Sequence, residues 1–386
     1  MGQVNLARRG FAPGCARCAR PAGPRAAPRA QSASVAQIED VARAAGVSTA
    51  TVSRALRGLP HVSQATSERV RKVAAELGYV ASPSAVSLAS GRTRTIGLLT
   101  PRVNQWFLSN VIDGAERALR AEDFDALLYT FEIARGRKRR RVDPDVLRRR
   151  VDGILVVGLP LEKEEVEALL ALGYPLIFVG AGVPGQVTVR LDDERTAYEA
   201  TRHLLALGHR QIGHITGAPG DSAPWTPPVD RRLGWIRAMT EAGLEASPDL
   251  EVNVHFDLEG GRDSTRLLLA RRPDVTAIFA ASDEMAMGAM MTARELGLRI
   301  PEDLSVIGID GHDLGELVGL TTMAQSAQDQ GTTAATLLLG LITGTPAPEQ
   351  VIFPTELVVR TSTAPPRRHG RAGSPPGSGG GAVTKS

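Results

Sequence analysis

No run of roughly 18 or more apolar residues occurs in the 386-residue chain, so nothing in it has the form of a membrane-crossing helix. Cysteine is nearly absent: Cys15 and Cys18, spaced C-x-x-C in an Arg-, Pro- and Ala-rich segment, are the only two. A zinc site needs two further ligands, and no other Cys or His stands near them in sequence, so no metal is expected. With no cysteine in the rest of the chain, a reducing interior is the simplest compartment. The first residues also lack the continuous apolar stretch of a secretory signal. Common catalytic signatures are missing too: there is no G-x-S-x-G, no P-loop and no H-E-x-x-H. No nucleophile elbow, phosphate cradle or zinc-hydrolase helix is therefore available to build an enzyme around, and no cofactor is expected.

What is present is a charge asymmetry hidden in a net charge of +3. Residues 1–34 carry six Arg and no acid, and residues 364–386 carry three Arg and one Lys. Both segments are low-complexity and rich in Pro, Gly or Ala, and are read as disordered tails. Residues 35–94 sum to +4, which leaves −11 for residues 95–363. A basic head on an acidic body suits a protein that grips a polyanion with one end only. The length and the 42% apolar content allow two or three domains with a sizeable core.

The head is organised around IEDVARAAGVSTATVSRAL, from Ile38 to Leu56. Val41, Ala42 and Ala45 mark one apolar face at helical spacing, Gly46 allows the positive φ that closes a first helix, and Ser48 offers a cap to the next. In the second helix Val52 and Leu56 face inward, turning Thr49, Ala50, Ser53, Arg54 and Arg57 outward. That face is small, hydroxylated and basic, as a helix lying in a DNA major groove needs to be. Any helical hairpin shares the glycine turn, so the continuation matters. His61-Val62-Ser63 leads into SERVRKVAAELGYVASPSA, where Val70, Val73, Ala74 and Leu77 recur at helical spacing before Gly78-Tyr79.

The run DVARAAGVSTATVSRAL, then HVS, then RVRKVAAELGY resembles the DNA-binding head of the lactose/galactose-repressor (LacI/GalR) family of bacterial transcription factors, and the likeness extends in order over about 35–363. The resemblance implies a helix-turn-helix head at 35–81 and makes Thr49, Ala50, Thr51, Ser53, Arg54, Arg57 and His61 the candidate DNA contacts. It also implies a hinge at 82–94 whose short helix pairs with a dimer mate and wedges Leu88 into the minor groove. A helix that short is marginal alone in water and forms only against a partner and DNA.

From Thr95 onward the apolar runs TIGLLT, DALLYT, DGILVV, PLIFVG, QIGHIT, TAIFAA and LSVIGID alternate with helical patterns. This is the signature of parallel sheets buried on both faces. Nearly 270 residues of such units predict two doubly wound lobes, about 95–193 and 194–323, with a last helix near 325–343 and the strand VIFPTELVVR crossing back. The expected architecture is thus an all-α helix-turn-helix head on a two-lobed α/β body, similar to the periplasmic-sugar-binding-protein fold. The body, 95–363, is expected to bind an effector and dimerise.

In open α/β sheets ligands lie beyond the carboxyl ends of strands. Trp106 and Phe107 follow the first strand, as rings that stack on a sugar face or fill the core. The family resemblance makes Arg231 the effector-clamping arginine, where composition alone suggests a solvated charge. It also assigns Phe256, Ser282, Asp310 and Gln325 to the ligand, although Ser282 by itself reads as an ordinary N-cap. His209 reads as structural, and the run RGRKRRR at 135–141 as a solvated helical face.

These residues together predict a cytoplasmic, nucleoid-associated homodimeric regulator, most simply a repressor. Its affinity for operator DNA is set by a sugar-like polyol closing the lobes. The rivals are an exported sugar-binding protein, disfavoured by the basic head, and a sugar-active enzyme, disfavoured by the missing catalytic constellation.

Overall fold

The computed structural model describes residues 36–79, 92–131, 140–217 and 226–367. Leu88 and the hinge up to residue 91, both cysteines and 135–139 of the arginine run lie outside the described residues, as do the tails at 1–34 and from 368 on. The described residues fall into two compact units, one before and one after the hinge segment.

The first unit is three helices, α1 (Ile38–Ala45), α2 (Thr49–Leu56) and α3 (Gln64–Glu76). Gly46 sits at φ 65° after α1, the left-handed conformation that glycine adopts without a Cβ penalty. Ser48 then accepts a hydrogen bond from the Thr51 amide at 3.1 Å and starts α2. Val41, Ala42, Ala45, Val52, Ala55, Val70 and Ala74 form the core. Two expectations shift by part of a turn. In α2 the fully buried partner of Val52 is Ala55, with Leu56 half-buried beside it. The third helix starts at Gln64 because Ser63 caps it through the Thr66 amide, and Leu77 at its end is 42% exposed rather than core.

The second unit holds two six-stranded sheets. In the first, β1 (Thr95–Thr100), β2 (Asp125–Thr130), β3 (Gly153–Val157), β4 (Leu176–Val179) and β5 (Thr188–Leu191) are joined by β11 (Gln350–Phe353), in the order β11-β5-β4-β3-β1-β2. In the second, β6 (Ile212–Gly217), β7 (Glu251–Val254), β8 (Ala277–Ala280), β9 (Ser305–Asp310), β10 (Thr321–Ala324) and β12 (Glu356–Val358) are ordered β12-β10-β9-β8-β6-β7. All neighbours are parallel except β12 against β10.

Alternate strand residues supply two cores to the first lobe. Ile96, Leu98, Leu155 and Val157 pack under α4 (Trp106–Ala121) and α11 (Ala327–Ile342). Leu99, Ile154, Val156 and Phe178 pack on the other face with α5 (Lys163–Leu170). Helices α4 and α11 touch backbone to backbone: a Cβ on Gly114 would lie 2.0 Å from the Gln328 carbonyl, and one on Gly331 would lie 2.0 Å from that of Val111. The paired glycines clamp the C-terminal helix onto the first lobe. In the second lobe α6 (Asp193–Ala206), α7 (Pro227–Glu241), α8 (Leu258–Arg271) and α9 (Asp283–Glu295) enclose the core around Trp235, Phe279 and Met285, and the short α10 (Asp313–Val318) follows β9.

The strand VIFPTELVVR divides at Pro354, sending β11 to the first sheet and β12 to the second, so the chain crosses between lobes three times. DALLYT departs from the expected burial, because as β2 it is a sheet edge with Leu128 43% exposed. Residues 364–367, read as the start of a tail, are placed against the second lobe, where the Ala364 carbonyl meets His209 Nε2 at 2.9 Å. His209 also contacts Thr276 and Ser305 hydroxyls, a buried structural role.

Candidate functional site

The outward face of α2 carries Thr49, Ala50 and Arg54 exposed and Thr51, Ser53 and Arg57 half-buried. Two of these already have work inside the head. Thr51 Oγ1 is 2.9 Å from the Ser48 hydroxyl, and Arg57 Nε donates to the Ser53 carbonyl at 3.1 Å, satisfying the end of its own helix. Arg54 is the cation of this helix that stands clear of it, and no acidic residue occurs in α2. His61, at φ 74°, is exposed in the turn toward α3. A hydroxylated, basic, acid-free ridge of this size matches base edges and phosphates in a major groove.

Between the lobes of the body lies a cleft of about 1270 Å³. Phe107, Leu108 and Leu159 wall it from the first lobe, and Val254 and Phe256 from the second. Its polar groups come from the carboxyl ends of strands and the helix turns after them. Arg231 sits in the first turns of α7, only 5% exposed, and its Nε and Nη2 both lie 2.8 Å from Asp193 Oδ1. Its Nη1 donates to the Ala281 carbonyl. These contacts leave two of the guanidinium's five N–H groups for a ligand. Ser282 caps α9 through the Met285 amide and also lines the cleft.

Cross-lobe contacts close the rim. Gln105 Nε2 donates to the Phe256 carbonyl, the Trp106 amide donates to Glu284 Oε1 at 3.1 Å, and Arg102 pairs with Asp257 at 3.6 Å. Trp106 is part of this rim rather than of the ligand wall: its ring stacks on His312 at 5.7 Å and its Nε1 donates to Asp313 at 3.2 Å. Of the Trp106-Phe107 pair, Phe107 lines the cleft wall and Trp106 stands at its rim.

Two buried carboxyls at the head of the second sheet divide one environment between them. Asp283 accepts from the Thr322 hydroxyl and from the Gly311 and His312 amides, yet burial still pushes it up to about 6. Among the described residues Asp310 accepts only from Gln325 Nε2, at 2.7 Å, and burial with the nearby Asp283 charge pushes it to about 8. The carboxyl with fewer donors keeps the proton. Burial and the neighbouring Asp283 charge push Asp310 toward the neutral acid.

This has a measurable consequence. A carboxyl raised in the folded state destabilises the fold as pH climbs from its unfolded value to its folded one. His203, His209, His214 and His312, which burial holds below the usual histidine range, add an opposite slope as their unfolded forms lose a proton, and that slope is shared by wild type and Asp310→Asn. Between about pH 6.5 and 8 the stability of the wild-type body relative to Asp310→Asn, read from their melting curves, is expected to fall by at most about 1.4 kcal/mol per pH unit. Identical pH profiles in the two proteins would show that Asp310 does not hold the proton.

Of the sequence-assigned ligand residues, Phe107, Arg231, Phe256, Ser282, Asp310 and Gln325 meet at one cleft and Trp106 does not. Sequence reading missed Asp193, Glu284 and Gln330, which also line it. Asp193 follows TVRL, a four-residue strand too short and polar to stand out. Glu284 reads as a first-turn acid, and Gln330 as a surface residue of the last helix.

Residues 37–82 match the family described as bacterial regulatory proteins, lacI family, and residues 201–363 match a periplasmic binding protein-like domain. The chain is 34% identical over 337 residues to the HTH-type transcriptional regulator CelR of Thermobifida fusca, spanning 84% of this chain and 97% of that protein. Among solved structures it is similar to a transcriptional regulator CelR–cellobiose complex, with TM-score 0.63, 31% identity and coverage of 85% of this chain and 99% of the other. It is also similar to the Lac repressor dimer bound to operator and the anti-inducer ONPF, with TM-score 0.75, 26% identity and coverage of 86% and 99%. The three-helix head, the two crossed-over lobes and a likeness that runs almost the full length of CelR place the chain in the lacI family of helix-turn-helix transcriptional regulators.

Proposed function

We propose that the chain is a cytoplasmic homodimeric repressor that releases or grips a near-palindromic operator according to whether a neutral sugar or related polyol occupies the cleft. The observation that carries the ligand class is the charge balance of the cleft. Arg231 is matched by Asp193 and Arg102 by Asp257, and Glu284 is a further acid of the lining, so its groups offer directed hydrogen bonds and leave no spare positive charge for a free anion. Phe107 and Phe256, one from each lobe, supply apolar faces of the kind that cover sugar rings. The relative solved with cellobiose supports this class. Lobe closure on the ligand shifts the population of head geometries through the hinge, each subunit placing one α2 in a half-site.

Selection of bound fragments from the native genome, with and without cellobiose and other neutral saccharides, tests the whole reading. The expected result is a small set of near-palindromic fragments whose retention changes with one saccharide. No enriched fragment would sink the DNA role, and enrichment indifferent to every saccharide would sink the polyol.

A further inference from the structure

Gln330 lies in α11, the helix clamped to the first lobe, and is fully buried while lining the cleft. Its Nε2 donates to Gln325 Oε1 at 2.8 Å, and Gln325 Nε2 donates to Asp310 Oδ1 at 2.7 Å. The three side chains form an unbroken hydrogen-bonded line from the helix of one lobe to the strand end of the other. Drawn in this direction, the line leaves one group over: Gln330 Oε1 is buried with no partner. An orphaned buried acceptor costs the fold and calls for a donor.

A second direction exists with the same heavy-atom positions, because each amide can turn through 180°. The Asp310 O–H then donates to Gln325 Oε1, Gln325 Nε2 donates to Gln330 Oε1, and the unpartnered acceptor is exchanged for an unpartnered donor. Gln330 Nε2 becomes the free end. This arrangement requires a proton on Asp310. The groups facing Asp310 favour that proton: Asp283 and Glu284 from α9 repel a second negative charge, and Arg231 from α7, which attracts one, is already paired with Asp193.

We propose that Gln330 is a specificity-determining residue of the cleft, and that Asp310, acting through Gln325, decides whether it offers the ligand N–H donors or a carbonyl acceptor. The proposal rests on the polyol reading above. Hydroxyl groups satisfy either end, but ring and glycosidic oxygens only accept, so a saccharide that places such an oxygen at Gln330 needs the protonated relay. Losing the proton turns the line around and sets acceptor against acceptor.

The test has a ligand-free arm and a binding arm on the full-length protein. In deuterated protein with labelled glutamine side chains, the Gln325 and Gln330 amide signals are expected to shift together with pH, with a midpoint near 8 where Asp310 titrates, and to stop shifting in Asp310→Asn. A Gln330 signal that ignores pH, or that still titrates in Asp310→Asn, overturns the relay whatever the ligand is. In calorimetric titration with cellobiose as probe, the Kd is expected to rise by up to about tenfold per pH unit above that midpoint. The slope should vanish in Gln330→Met as well as in Asp310→Asn. A slope that survives in Gln330→Met overturns the role of Gln330. Amides that titrate in a protein binding neither cellobiose nor any other neutral saccharide at any pH support the relay and overturn the polyol reading, so the two failures are told apart.

Discussion

Replacing Arg231 with alanine is expected to cost the body about 3 to 5 kcal/mol of stability, lowering its thermal midpoint by on the order of 10 °C, and to abolish the operator response to ligand. The reason lies in burial. Arg231 is 5% exposed and Asp193 only 3%, and the pair is joined through two nitrogens on one oxygen. Burial already raises the Asp193 carboxyl and the Arg231 charge is the chief force lowering it, so truncation strands a desolvated acid that must take up a proton or drag in water. It also removes the anchor on the Ala281 carbonyl that ties α7 to the end of β8. Adding Asp193→Asn removes the stranded charge and should recover most of the stability without recovering the ligand response. Melting curves of the single and double variants, with operator binding measured with and without cellobiose, check both halves. A loss under about 1 kcal/mol in the single variant, the size of an exposed pair, would refute the buried-pair account.

At the other end of the chain, Arg54→Ala should weaken operator binding by about tenfold to a hundredfold at fixed salt, the equivalent of roughly 1 to 3 kcal/mol for a lost base-edge or phosphate contact. Arg54 is the exposed basic residue of α2, on the side opposite buried Val52 and Ala55, so its removal leaves the head core intact. Arg57 makes the contrast. Its Nε is spent on the Ser53 carbonyl, so Arg57→Ala combines a smaller loss of DNA contact with a looser helix end. Binding of labelled operator over a salt series measures both. If the Arg54 variant kept full affinity with an unchanged salt slope, α2 would not be the reading helix.

The head could be read residue by residue because its signals are local. A glycine in the left-handed conformation, a serine cap and apolar residues three or four apart depend on neighbours within one turn, and Gly46, Ser48 and Val52 behave as their positions require. What slipped were margins, such as Leu77, where a helix end leaves one residue beyond the reach of the core. Long apolar strands were equally plain, since a strand covered on both faces needs apolar residues throughout. The four-residue strands TVRL, EVNV and TTMA were not, because so short a strand takes its place from the sheet beside it.

By itself, then, the order of residues determined the three helices of the head and the alternation that makes two parallel sheets, and with its family resemblance it named six of the residues that meet at the cleft. Which sheet receives each C-terminal strand, and which charges in the cleft are spent on each other, only the tertiary structure decided. Arg231 looks the same in sequence whether solvated or paired with an aspartate 38 positions away. Asp310 is an ordinary acid until folding sets Asp283 beside it and takes the water away. Charge state and free hydrogen-bonding capacity are properties of an environment assembled from distant segments, and desolvation, which decides both, does not exist before the lobes pack.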